Sequence, residues 1–118
     1  MADGTNETMI WGKLLLKPYT VKVQGFDPIT YFAPSHGVAR AKAWRGYCSY
    51  NDINFGEFMR ISTVRRAPNP PGYGDRIIVA DKPAYRIPDR FGTHFVRPND
   101  TVVMSCHPSE VRPTPAEI

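Results

Sequence analysis

Twelve prolines in 118 residues, about twice the usual share, limit what this chain can fold into. They stand at positions 18, 28, 34, 68, 70, 71, 83, 88, 98, 108, 113 and 115. A proline inside a helix removes a backbone donor and collides with the preceding turn. The one long proline-free stretch is 35–67, so any helix belongs there and the rest must be short extended segments and turns. Frequent turn signals between short apolar runs point to an all-β sandwich or barrel. The expected fold class is therefore mainly β: a small barrel or sandwich of short strands, with extended N- and C-terminal arms and at most one short helix.

The strand pattern is clearest in "YTVKVQ", where Tyr19, Val21 and Val23 share one face and Thr20, Lys22 and Gln24 the other. "MIWGKLLL" before it reads as a further strand, broken from it near Lys17-Pro18. Gly25-Phe26-Asp27-Pro28 is a turn and "ITYF" the next strand. From Val38 the reading is ambiguous, because alanines at 39, 41 and 43 alternate like a strand while alanine itself prefers helix. "EFMRISTV" also alternates as a strand, with a short helix near 52–59, capped by Asp52, as its alternative. "RIIVA", "HFV" and "TVVMSC" read as strands, and the prolines and glycine of "DKPAYRIPDRFG" as breaks between them.

At this length one domain is expected. The boundaries read as a polar N-terminal arm at 1–9, a single β-rich domain at 10–107 and a proline-rich C-terminal arm at 108–118. "MADGTNET" has little apolar surface to offset the entropy of ordering it. An arm of that kind is expected to be held by a neighbouring subunit. It also lacks the basic segment and apolar core of a signal peptide, so the expected location is a virion or the cytoplasm of the producing cell. No apolar run is long enough to insert into a membrane. Cys48 and Cys106 allow at most one disulfide; both read as reduced, with Cys106 a small buried apolar group.

The net charge of +4 is unevenly distributed: residues 38–97 hold eleven Lys/Arg against five Asp/Glu. That is mild for a dedicated nucleic-acid binder. Arg40, Lys42, Arg45, Arg65 and Arg66 are the candidate contacts to nucleic acid or an acidic partner. Aromatic and basic residues interleave around them, as on the binding face of a small oligonucleotide-binding barrel. The favoured reading nonetheless places Trp44, Tyr47, Phe55 and Phe58 in the core.

Catalytic and metal-binding chemistry is sparse. A zinc site needs closely spaced Cys and His ligands, and only Cys106-His107 are close. On a strand, adjacent residues point to opposite faces. A Cys/His nucleophile pair such as Cys106 with His94 is formally possible, and no cofactor motif is present. Neither catalysis, nor a metal, nor a cofactor is expected. The loop "RRAPNPPGYGDR" lacks the Lys-Ser/Thr and the helix of a phosphate-binding loop. Within it Pro70-Pro71-Gly72-Tyr73 resembles the Pro-Pro-x-Tyr motif that WW domains read as a polyproline helix, the pattern of viral late motifs. The same residues also read as a hairpin tip or connecting loop.

The function expected on these grounds is a non-enzymatic structural subunit of a larger assembly, in the manner of a capsid-associated, cement or connector protein of a virus or phage. Its partners would be copies of itself or other subunits. A small nucleic-acid-binding barrel and an accessory subunit of a cellular complex are the alternatives.

Overall fold

The computed structural model describes residues 10–114. It is mainly β, with seven strands in two antiparallel sheets and two helices among the described residues. The chain divides into two compact units, one formed by 16–69 and the other by the residues up to Leu15 with the chain from Pro70 onward. The arm expected at 1–9 and the last four residues of the arm expected at 108–118 lie outside the described residues. No closed barrel forms among the described residues; the sheets have three and four strands.

In the 16–69 unit, strand β1 (Lys17–Val23) lies between β2 (Ile29–Ala33) and β3 (Ser62–Arg66). The alternation read in β1 is observed: Tyr19 and Val21 are buried, Val23 is half-buried and Lys22 is exposed. A proline in a central strand requires compensation. Ala67 N donates to Pro18 O at 3.0 Å, so Pro18 turns its missing N–H toward Ala67 as well. The Arg66 guanidinium supplies the donor instead, from Nη1 to both Ala67 O and Pro18 O.

Helix α1 (His36–Cys48) begins at a Ser35 cap whose Oγ accepts from Val38 N at 3.3 Å. It replaces the strand-like reading of 39–43. Ala39, Ala43 and Tyr47 also repeat every four residues, the helical spacing, and the small alanines let α1 pack against the sheet. The second helix, α2 (Phe55–Ile61), is capped by Asn54 rather than Asp52, and the chain passes directly from it into β3. Two helices therefore stand where at most one was expected. Serine caps, which open a helix, do not disturb an alternating apolar pattern that continues past them. The core comprises Tyr19, Val21, Ala33, Ala39, Ala43 and Phe58, flanked by Trp44, Tyr47 and Val64. Burial of Phe58, which is fully buried, contributes about 1.5–3 kcal/mol.

The other unit holds a sheet in the order β6-β5-β4-β7: β4 (Arg76–Val79), β5 (Lys82–Asp89), β6 (Gly92–Val96) and β7 (Val111–Pro113). Strand β5 is the longest in the protein's described residues, although its prolines read as breaks. Arg86 N donates to Asp75 O, which fixes even-numbered residues of β5 toward β4 and odd-numbered ones toward β6. Pro83 turns its missing donor toward β6 beyond the last β6 residue, Val96, and Pro88 toward β4 before the first β4 residue, Arg76. Neither removes a ladder bond. Pro113 is accommodated in the same way, on the outer edge of β7. The segment 111–113, expected as part of an extended proline-rich arm, is thus an edge strand paired with β4.

"TVVMSC" forms no strand and touches β6 only through a Met104–Phe95 bridge. Asp100 Oδ1 accepts from Thr101 N and Val102 N, bending the chain there and leaving Val102 and Val103 exposed. The run before β1 is likewise not a strand. Asn99 holds it from both sides, donating its N–H to Lys13 O at 2.7 Å and accepting from Lys13 N at 3.0 Å. Tyr85 donates to Gly12 O at 2.7 Å, and Trp11 rests edge-on against its ring.

Candidate functional site

The five candidate cations do not converge. Arg40 and Lys42 point to opposite sides of α1: Arg40 Nη2 donates to Ser62 O of β3 and Lys42 Nζ to Phe32 O of β2, at 3.2 and 2.6 Å. Partial burial, with the neighbouring Arg45 second, pushes the Lys42 ammonium below the usual lysine range. Arg45 stands exposed in the last turn of α1, where it favours the helix dipole. Arg66 shares the α1 side of the sheet with Tyr19 and is engaged by Pro18, Ala67 and Asn69 Oδ1. Arg65 points to the opposite face and is exposed. Of the interleaved aromatics Phe58 is fully buried in the core, Tyr47 and Trp44 are half-buried against it, and Phe55 is half-buried against Trp44 outside the core cluster.

The two units treat their cations differently. The 16–69 unit holds eight Lys/Arg and three Asp/Glu, a net charge of +5. Among its described residues no cation is paired with a carboxylate; Arg40, Lys42, Lys22 and Arg66 donate to backbone carbonyls instead. In the other unit Arg97 also donates to carbonyls, those of Val79 and Pro83, but Arg86 pairs with Asp75 at 3.4 Å, Arg112 with Asp81, and His94 Nε2 lies 3.0 Å from Asp89 Oδ1.

Pro70-Pro71-Gly72-Tyr73 forms a tight turn closed by Tyr73 N to Pro70 O at 3.0 Å, with proline second and Gly72 third at φ +84°. That is the residue pattern of a type II turn. A second turn, Gly72 to Asp75, follows at once, and Gly74 N donates to Arg86 O of β5. The segment connects strands of different sheets, so it is a connecting loop and not a hairpin tip. A polyproline helix has negative φ throughout, so a WW domain would have to open this turn first.

Cys48 and Cys106 are both free. Cys106 packs against the Ile77, Val79 and Ala84 cluster, and desolvation, with Glu110 second, pushes its thiol above the usual range. His94 is engaged with Asp89. No three His, Cys, Asp or Glu side chains group as metal ligands among the described residues. No described helix is long and apolar enough to cross a membrane.

Sequence reasoning missed the Arg66 clamp and the Asp89–His94 pair. The first had a signal, a proline within an alternating run followed far along the chain by paired arginines. The second depends on the β5–β6 register. Comparison with protein-family models, with curated proteins and with solved structures gives no match.

Proposed function

We propose that this chain is a non-enzymatic structural subunit of a larger assembly, of the kind that builds or decorates a virus or phage particle. The observation that carries the proposal is the set of large apolar side chains left outside both cores. Tyr50 just beyond α1 is 90% exposed, Phe91 at the β5–β6 turn 77% and Val102 in the following loop 65%. Scattered exposed apolar groups are ordinary on a monomer, but turns favour small polar residues, and these three stand at turns or bends. At the β5–β6 turn the Arg90 guanidinium lies 4.5 Å from the centre of the Phe91 ring, and Arg with aromatics is the composition enriched at protein interfaces.

Native mass spectrometry and light scattering of the full chain test this. The expected result is a species larger than a monomer, lost in Phe91→Ser with Val102→Ser while both sheets remain folded. Removal of residues 1–9 or 115–118 is expected to weaken assembly too; the second truncation leaves β7 in place. A chain that stays monomeric at high concentration and joins no particle overturns the proposal.

A further inference from the structure

One face of the 16–69 sheet is polar, basic and unassigned. Residues directly opposite in register share a face, so Thr20 lies between Thr30 of β2 and Arg65 of β3, and Lys22 lies beside Thr63. These side chains point away from the face that carries Tyr19, Val21 and Val64 under α1. At one end of the polar face Pro18 and Phe32 are buried; toward the other, Lys22, Thr30, Thr63 and Arg65 are exposed. No carboxylate occupies any of these positions. The unit's exposed large apolar side chains, Phe26, Ile29, Val38, Tyr50 and Met59, are not among them either. Among the described residues Lys22 Nζ reaches only the carbonyl of Val23, at 3.0 Å.

We propose that this face binds the phosphate backbone of nucleic acid. Lys22 and Arg65 neutralise phosphates, and the hydroxyls of Thr20 and Thr63 donate to phosphate oxygens. Two features favour nucleic acid over an acidic protein surface. Protein interfaces are organised around an apolar core, and the exposed part of this face, beyond the buried Pro18 and Phe32, has none. Lys, Arg and Thr side chains together are the groups that contact phosphate and sugar rather than bases. No exposed aromatic side chain stands on this face, so no base can stack on it and binding is independent of sequence. Two neutralised phosphates give weak binding per copy, with log K falling against log salt at a slope of about −1.4 to −1.8. The inference rests on charge placement and holds whether or not the chain assembles; in an assembly, many such faces would add by multivalency.

The test is fluorescence anisotropy of the full chain with labelled single-stranded DNA and duplex DNA of about 20 nucleotides, titrated from roughly 20 to 200 mM NaCl. Salt-dependent binding without sequence preference is expected. Lys22→Gln with Arg65→Gln should lower affinity at least tenfold at low salt and bring the slope close to zero. Lys22→Arg with Arg65→Lys should retain binding, and Arg45→Gln on α1 should leave the slope unchanged. Circular dichroism of each variant establishes that the exposed substitutions leave the sheet intact. Absence of binding at the lowest salt, or a folded double Gln variant that binds as the parent does, overturns the proposal. So does preferential binding of polyglutamate, which would assign the face to an acidic protein.

Discussion

The 16–69 unit and the unit built from 70 onward place prolines in strands in opposite ways, and they differ in charge, with eight Lys/Arg against three Asp/Glu in the first and seven against eight in the second. The second unit places Pro83, Pro88 and Pro113 where the neighbouring strand has ended or the edge is open, so no donor is missed. Two of its cations, Arg86 and Arg112, meet carboxylates, while Arg97 rests on the Val79 and Pro83 carbonyls. The first unit puts Pro18 in its central strand and repairs the ladder with the Arg66 side chain. Its other cations rest on carbonyls or stand free of carboxylates, so its net charge of +5 is not neutralised within it. A cation on a carbonyl keeps its full charge available to the surroundings. The proposed binding of nucleic acid by the 16–69 unit rests on this difference.

The two tryptophans allow the units to be compared directly, since Trp11 belongs to one and Trp44 to the other. Single-tryptophan variants, Trp11→Phe and Trp44→Phe, serve as reporters in urea unfolding. The largest expected effect is that of Phe58→Ala, which opens a cavity in the 16–69 core and should destabilise it by about 3–5 kcal/mol. The Trp44-reported midpoint should fall well below the Trp11-reported one. Equal shifts in both would show that the two units unfold as one and would break the comparison at its base.

Arg66→Ala is expected to cost about 2–3 kcal/mol, because it orphans the Ala67 carbonyl beside the buried Pro18. Arg66→Lys should not restore the loss, since one ammonium cannot reproduce a planar fork that reaches Pro18, Ala67 and Asn69 together. Arg112→Ala in the other unit removes only an exposed pair with Asp81 and should cost under about 1 kcal/mol. If urea unfolding finds the two Ala variants equally stable, the Arg66 clamp is not a structural requirement.

What the sequence made legible follows from the same physics. Strict alternation exposed β1, and the Gly25 turn exposed the β1–β2 hairpin, because both signals are local. The apolar assignment of Phe58, Trp44 and Tyr47 was readable for the same reason. Strand β5 was not, because a proline breaks a strand only where a partner carbonyl waits for its donor, and that depends on where β4 and β6 end. Helix α1 was obscured by alanines that satisfy both periods, although the Ser35 cap was in plain view. Of the candidate cations, composition supplied the charge and nothing more. Whether Arg65 is free and Arg66 committed depends on which face of β3 each occupies, and that parity was fixed by pairing with β1.

Ala80 offers a smaller test, within the second unit. It and Asp81 form the two-residue β4–β5 turn with φ of 50° and 64°, a conformation that costs a residue with a Cβ about 1–2 kcal/mol. Ala80→Gly relieves this while enlarging the entropy of the unfolded chain, leaving a net gain of about 0.5–1 kcal/mol. The Trp11-reported midpoint should rise and the Trp44-reported one should not. A fall in the Trp11 midpoint would show that the turn is not under strain.

The smallest effect separates the units by sign. Sodium chloride screens exposed charges over about 10 Å at 0.1 M. In the 16–69 unit the dominant exposed interaction is repulsion among cations without carboxylate partners, so salt should stabilise it. In the other unit salt weakens the Arg86–Asp75 and Arg112–Asp81 pairs, the first partly and the second largely exposed, and should be neutral or slightly destabilising. Between low salt and roughly 0.3 M the Trp44 midpoint should therefore move up relative to the Trp11 midpoint, by no more than about 1 kcal/mol. Lys22→Gln with Arg65→Gln should reduce that upward shift, because it removes two of the repelling charges without touching the core. If the two midpoints instead moved together with salt, the +5 charge of the 16–69 unit would be compensated from elsewhere. Its polar face would then have no excess field with which to attract a polyanion.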